Sequence, residues 1–172
     1  MPSQTSLTGA AGEHYVMAHL LNEGFIAALA PKGVPTADIV VTDDIGERLC
    51  SIQVKTRREI GSDGGWHMKK KHEEIRWPSL FYVFLGFKFD PTVVPDLYVI
   101  PSAVVAECLY ICHRAWLSIP GRSGQQRNDG DMRRLLPDYS KDGQAEKYGP
   151  GWLETYRNGW GRLRTASDSC GS

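Results

Sequence analysis

The fold is decided by one short stretch, SIQVKT at residues 51–56. Its apolar and polar residues alternate, which predicts a β-strand with Ile52 and Val54 on one face and Gln53 and Lys55 on the other. A lysine two residues after an amide, near the end of a strand, indicates a site for phosphate chemistry. Groups that accompany Gln53 and Lys55 on neighbouring elements are therefore the first candidates for a functional site.

Two acids lie upstream of this strand, on other predicted elements. Asp38 opens a strand predicted at 38–42, and a short turn joins that strand to the next, so the two are expected to be antiparallel neighbours. Glu13 lies in a helix predicted at 8–22, on the same stripe as apolar residues three, four and seven positions later. A carboxylate on such a stripe is costly unless it meets a partner. Glu13 is therefore either an acid aimed at a cleft or a helix-edge acid that reaches water.

The remaining pattern predicts a single α/β domain over residues 1–172. The predicted elements, in chain order, are a helix at 8–22, strands at 25–30, 38–42 and 48–56, a short helix within 66–77, strands at 80–87 and 96–100, and helices at 102–113 and 152–163. The strand at 80–87 is almost continuously apolar, which predicts a buried central strand. Residues 121–149 predict long loops, and residues 165–172 predict a disordered tail.

The composition is that of an ordinary globular protein. The 172 residues are 41% hydrophobic and 23% charged, with a net charge of zero. No run approaches the roughly 20 apolar residues of a membrane span, and there is no secretory signal. Four scattered cysteines favour a reduced, cytoplasmic protein.

Charge is distributed unevenly along the chain. Residues 1–54 carry two basic and six acidic side chains, whereas residues 55–76 carry seven basic and four acidic ones. This pattern is typical of an acidic metal pocket beside a basic surface, and solvated charge is the alternative interpretation.

The polar residues of these elements are of the types that phosphodiester hydrolysis needs. That reaction requires a held divalent cation, an activated water molecule and a group that balances charge on phosphorus. Mg²⁺ or Mn²⁺ prefers oxygen ligands, so Asp38, Gln53 and the carbonyl of Val54 form a candidate ligand set. Lys55 would orient or deprotonate the water and stabilise the phosphate. Glu13 would hold a metal-bound water or help to bind a second ion.

In this order and on these elements, Glu13, Asp38 and the run Gln53-Val54-Lys55 resemble the PD-(D/E)xK nuclease superfamily. A glycine four residues before Glu13 resembles the archaeal Holliday-junction resolvase branch. The Gln-x-Lys form of the motif resembles that of a group I intron homing endonuclease in the same superfamily.

The resemblance covers about residues 8–100 and implies a restriction-endonuclease-like αβββαβ core with a mixed sheet. A helical and loop-rich C-terminal extension at 101–164 follows the core. The implied activity is divalent-metal-dependent cleavage of DNA, leaving a 5′-phosphate. A homodimer is also implied, since two strands need two active sites.

By position, the resemblance gives Asp38 the role of the metal-binding aspartate, Lys55 that of the catalytic lysine and Glu13 that of the helix glutamate. Gln53 stands where the family usually has Asp or Glu. Because an amide binds a hard cation more weakly than a carboxylate does, this departure is expected to lower metal affinity and to make Glu13 more important.

Basic residues beside the motif are candidates for DNA binding. Arg57 and Arg58 follow the strand and would contact backbone phosphates. Lys69, Lys70 and Lys71 form a basic run, flanked by two histidines, that would do the same or would be simply solvated.

Two other functions stay open at this stage. One is a catalytically inactive relative that binds nucleic acid or a protein partner, with Gln53 marking the lost chemistry. The other is a metal-binding interaction domain built on Cys108, Cys112 and His113, although no second ligand pair has the spacing of a zinc site. Buried structural cysteines explain the same residues.

Overall fold

The computed structural model describes residues 1, 3–31, 33–43, 45–59 and 64–165, with only the backbone of residues 48, 145 and 165. The helices are α1 (Gln4–Asn22), α2 (Ser102–Ser118), α3 (Ala145–Tyr148) and α4 (Arg162–Thr165). The strands are β1 (Ile26–Leu29), β2 (Ile39–Thr42), β3 (Arg48–Arg58), β4 (Trp66–Lys69), β5 (Leu80–Phe87), β6 (Asp96–Pro101) and β7 (Met132–Leu135). Among the described residues, three 3₁₀ helices span Lys70–Glu73, Ser140–Asp142 and Trp152–Tyr156.

Five of the strands in the described part of the chain form a mixed sheet, as the sequence predicts. The order is β1-β2-β3-β5-β6. The first three strands are antiparallel neighbours, β5 runs parallel to β3, and β6 runs antiparallel to β5. The register pairs Ile39 with Ile52 and Gln53 with Tyr82. The apolar strand β5 is therefore buried between two others, which is the position that its composition predicts.

Both faces of the sheet are covered, and each covered face has its own apolar cluster. On one face, Val16 and Leu20 of α1 pack with Ile52 and Val54 of β3. On the other face, residues of α2, β4 and β7 pack over a cluster that includes Tyr82 of β5. These are called the α1 face and the α2 face below.

Helix α1 begins four residues earlier than its predicted start at Thr8. Ser3 caps it, and the Ser3 side chain accepts a hydrogen bond from the Ser6 N–H at 3.1 Å. Thr8 is instead buried within the helix and accepts a hydrogen bond from Arg58 Nε at 3.2 Å. The helix ends before Gly24, which has a φ of +81° and terminates it as predicted.

The short helix predicted within residues 66–77 is confirmed as the 3₁₀ helix Lys70–Glu73, but it does not begin at Trp66. Strand β4 begins there instead and pairs antiparallel with β7, which lies in the region predicted to be loops. Trp66 and Met68 are buried and the residues between and after them are exposed, which is the alternation of a strand. The buried Glu73 of the following 3₁₀ helix forms an ion pair with the buried Arg133 of β7. A strand and a 3₁₀ turn thus replace the second helix of the expected αβββαβ core.

The prediction of one continuous helix at 152–163 is wrong. A 3₁₀ helix and α4 occupy this segment, and the chain between them contains Asn158 with a φ of +47°, followed by Gly159. Leu153 packs into the α2 face and Leu163 into the α1 face. The C-terminal extension therefore contributes to both apolar clusters.

Residues 166–172, most of the segment predicted to be a disordered tail, lie outside the described residues. Within the described ranges, no helix combines the length and the apolar character needed to cross a bilayer. Among the described residues, the cysteines Cys50, Cys108 and Cys112 are buried.

Candidate active site

Strand β3 extends beyond β2, and its second half has no strand partner on that edge among the described residues. The pairing of β2 with β3 ends at Ile39 and Ile52, whereas β3 continues beside β5 to Arg58. Asp38 lies at this end point, and its N–H donates to the Ile52 carbonyl at 2.8 Å. Its Oδ2 accepts a hydrogen bond from the Val54 N–H at 2.7 Å. The carboxylate is therefore fixed against the edge of β3.

The structure brings Asp38, Gln53 and Lys55 to the same side of the sheet. Continuing the register by one residue places Asp38 opposite Gln53, and residues that stand opposite each other point to the same face. Lys55 shares that face because it is two residues further along β3. The N–H and C=O of one strand residue point to the same side, so the Val54 carbonyl is directed toward the edge where Asp38 lies.

Lys55 is half-buried, and its surroundings favour release of its proton. Burial lowers the pKa of Lys55, the Asp38 carboxylate opposes that shift, and the positive charge of Lys71 adds to it. A lysine with a lowered pKa next to a carboxylate can exchange a proton with a water molecule more easily than an exposed lysine can.

Three buried polar atoms around Gln53 have no hydrogen-bond partner among the described residues. They are Gln53 Oε1, Tyr82 Oη and His72 Nε2. Tyr82 stands beside Gln53 in the register, and the His72 ring lies edge-on to the Tyr82 ring with centroids 5.8 Å apart. The sequence analysis did not single out Tyr82, because one hydroxyl in an apolar strand is typical of core packing. The signal that identifies it is the register between β3 and β5.

Glu13 does not share the face of the other three residues, because α1 carries it on the opposite side of the sheet. The buried stripe of α1 is Thr8, Gly12, Val16 and Leu20, so Glu13 lies on the flank of this stripe and is half-buried. The expectation that Glu13 lies on the stripe itself is wrong.

The flank that carries Glu13 is the one directed toward the open edge of β3. Gly12 lies directly over Thr56, in the half of β3 that β2 leaves open. Tyr15 contacts Phe87 at the end of β5. At about 100° per residue, Glu13 lies roughly 200° from Tyr15 and so faces away from β5. The Glu13 side chain can therefore reach Asp38 and Lys55 only around the open edge of β3, because the sheet separates it from the face that these two residues share.

The five basic residues predicted to bind DNA are in different environments. Arg57 stacks over a tryptophan ring of β4 at 4.3 Å on the α2 face, while Arg58 bonds to α1 on the other face. Lys69 and Lys70 form ion pairs with aspartates just before β7, at 3.9 and 2.9 Å. Lys71 is exposed, and its charge acts on the lysine of β3. Of these residues, Lys71 has the clearest link to the candidate site.

The oxygen atoms near this edge are of the types that could hold one hard cation. Asp38 could supply a carboxylate, Gln53 could supply an amide oxygen that has no hydrogen-bond partner among the described residues, and the Val54 carbonyl is directed to the edge where Asp38 lies. In the described part of the chain, no three His, Cys, Asp or Glu side chains come together in a metal-binding group. The candidate set therefore depends on an amide and a main-chain oxygen.

The alternative site at Cys108, Cys112 and His113 lacks a ligand set within the described residues. The two sulfur atoms lie 4.0 Å apart in the core, and burial raises the pKa of the Cys108 thiol far above its ordinary value, so the thiol stays protonated. His113 Nε2 lies 3.0 Å from a carboxylate oxygen of Asp129. Packing explains these residues.

Comparison with known proteins agrees with the fold. No protein-family model matches the chain, and no curated protein matches it either. Among solved structures, a bacterial homing endonuclease, I-Ssp6803I, matches over 100% of both chains with a TM-score of 0.53 and 18% identity. At this identity the similarity shows the fold alone. The chain therefore has a nuclease-like α/β fold.

Proposed function

We propose that this protein is a divalent-metal-dependent endonuclease of the PD-(D/E)xK type that hydrolyses DNA phosphodiester bonds. One observation carries the proposal: Asp38, Gln53 and Lys55 share one face at the point where β2 leaves the edge of β3, with the Asp38 carboxylate bonded to the Val54 N–H. The structural similarity to a homing endonuclease supports the same class of activity.

In this proposal Mg²⁺ or Mn²⁺ is held by the Asp38 carboxylate, the Gln53 amide oxygen and the Val54 carbonyl. When bound, the cation supplies Lewis-acid polarisation of the phosphate. The second oxygen of Asp38 is available for this role, since Oδ2 already accepts the Val54 N–H. Glu13 approaches from the open edge and helps to neutralise the positive charge there.

Lys55 orients the attacking water and exchanges a proton with it. Its burial and the charge of Lys71 both lower its pKa, which increases the fraction of the neutral amine that can accept a proton. In its charged form the same group donates a hydrogen bond to the phosphate. Lys71, with Arg57 at the end of β3, is proposed to contact the DNA backbone, and a homodimer would provide one site for each strand.

A second candidate is a nuclease-fold protein that binds DNA without cutting it. The amide at Gln53 favours this alternative, because it leaves Asp38 as the one carboxylate among the three residues that share the face. Both candidate functions include DNA binding, and they differ in whether the bound DNA is cleaved.

The test is to incubate the full chain with plasmid, single-stranded and branched DNA, with Mg²⁺ or Mn²⁺ and with EDTA. We expect cleavage that needs the metal and falls at least about 100-fold in Lys55→Ala and in Asp38→Asn. Lys147→Ala is the matched control, because Lys147 forms an exposed ion pair with Glu107 of α2. Cleavage that survives Lys55→Ala contradicts the proposal, and DNA binding without cleavage by the unmodified protein supports the second candidate.

A further inference from the structure

Among the described residues, one edge of the five-stranded sheet is covered and the other is open. At the β6 edge, Tyr98 forms a β-bridge with Arg157, and the Asn158 N–H donates to the Leu97 carbonyl at 3.1 Å. Strand β1 lies at the opposite edge and pairs with β2 on its inner side. An open edge presents unpaired backbone N–H and C=O groups that can pair with a strand of another chain.

The backbone groups of β1 that point outward are those of Ala27 and Leu29. The Ala30 N–H donates to the Asp38 carbonyl at 2.8 Å, so the backbone groups of the even-numbered residues of this strand point to β2. Ala27 and Leu29 therefore direct two N–H and two C=O groups away from the sheet. These four groups are arranged symmetrically about Ala28, which is what pairing with an identical strand requires.

The side chains of β1 also favour an identical strand as the partner. Residues 24–31 include no charged residue, although edge strands usually carry a lysine or another charge that prevents pairing. Ile26 is 52% exposed and Leu29 is 41% exposed. In an antiparallel pair with this symmetry, Ile26 lies opposite the partner's Ala30. Leu29 lies opposite the partner's Ala27, so each large apolar side chain meets a small one.

We propose that two copies of this chain form a homodimer in which the β1 strands pair antiparallel across a two-fold axis at Ala28, so that the two sheets become one. The axis is perpendicular to the sheet, so the faces that carry Asp38, Gln53 and Lys55 lie on the same side in both copies. With about 4.8 Å between strands and about 3.3 Å per residue, the two Asp38 residues lie roughly 20 Å apart, which is less than one turn of duplex DNA at about 34 Å. The interface follows from the sheet edge alone, whereas its use, two sites on one duplex, rests on the proposed function.

The first test is sedimentation velocity of the full chain over a concentration series. Pairing of two four-residue strands gives a small interface, so we expect a weak dimer with a Kd of about 10 µM. Ala28→Glu places two like charges opposite each other at the axis and should raise the Kd at least about 10-fold. Val94→Glu is the matched control, because Val94 is 74% exposed in the loop before β6, and its Kd should not change. A chain that stays monomeric at about 300 µM, or an unchanged Kd in Ala28→Glu, overturns the inference.

The second test is a disulfide across the proposed axis. Ala28 is exposed, and its backbone groups point to β2, so it would meet the partner's Ala28 as a non-hydrogen-bonded pair with Cα atoms about 4.5 Å apart, a distance that a disulfide can span. In a Cys170→Ser background, Ala28→Cys should give a covalent dimer under mild oxidation, and Val94→Cys should not. Equal crosslinking of the two variants overturns the inference. A dimer that passes both tests and cleaves no DNA contradicts the proposed function and leaves the interface standing.

Discussion

The contact between Gly12 and Thr56 gives the sharpest prediction, because it fixes where α1 lies on β3. A Cβ at Gly12 would lie 2.9 Å from both Cβ and Cγ2 of Thr56 and would overlap its Oγ1 outright. Ordinary contacts of this kind are 3.4–4 Å. Gly12→Ala must therefore push the helix away from the strand by at least about half an ångström, and Glu13 moves with it.

The expected magnitude follows from two opposing terms. Overpacking of this severity costs about 3 kcal/mol, and alanine in place of glycine in a helix returns about 1 kcal/mol. Gly12→Ala should therefore lower the free energy of unfolding by about 2 kcal/mol and the melting temperature by about 4–8 °C. Gly9→Ala is the matched control, because a Cβ at Gly9 would meet nothing within 4 Å. It should raise the melting temperature by about 2–4 °C.

The assay is thermal and urea denaturation of both variants, with a double-mutant cycle through Thr56→Ala. That change removes the overlapping Oγ1 and Cγ2, so it should recover much of the stability lost in Gly12→Ala. DNA cleavage should fall in Gly12→Ala, measured well below its melting temperature, because Glu13 is displaced, and it should stay unchanged in Gly9→Ala. If Gly12→Ala is as stable as Gly9→Ala, or if the cycle shows no coupling, α1 does not lie on β3 as described.

Three further outcomes are expected. Lowering the pH from above 6.5 to below 4 should cost up to about 3 kcal/mol of unfolding free energy, since the unfolded chain protonates His72 near 6.5 and the folded chain near 4. Urea titrations should show a smaller loss in His72→Asn, and an identical pH profile would contradict this assignment. Gln53→Glu should bind Mg²⁺ about 10-fold more tightly in calorimetry, because it adds a charged oxygen ligand; weaker binding would count against the ligand set. Arg133→Met should cost about 3–5 kcal/mol in urea denaturation, because it leaves Glu73 buried without its partner; a loss below 1 kcal/mol would show that Glu73 is not held as described.

The sequence predicts those parts of the site that depend on the alternation of side chains between the two faces of a strand. The phase of β3 puts Gln53 and Lys55 on one face whatever the rest of the chain does. A short turn after β2 makes β2 and β3 antiparallel neighbours, and this pairing brings Asp38 beside Gln53. The placement of these three side chains therefore follows from about twenty consecutive residues.

The parts that the sequence does not predict depend on contacts between distant residues. Strand β4 pairs with β7, and Met68 stands opposite Arg133 across 65 positions of the chain. The charged residues 69–74 have the composition of a surface helix. The pairing of β4 with β7 and the buried ion pair between Glu73 and Arg133 make this segment the end of a strand and a 3₁₀ helix instead. Tyr82 is missed for the same reason, because its proximity to Gln53 is a matter of register.

An amide at position 53 changes the balance of charge around Lys55 as well as the proposed set of metal ligands. Asp38 is the carboxylate that raises the pKa of Lys55, while burial and Lys71 lower it. A second carboxylate at position 53 would hold Lys55 more firmly in its charged form. In the proposed reaction, the amide would therefore bind the cation more weakly than a carboxylate would, but it would leave Lys55 freer to accept a proton from water.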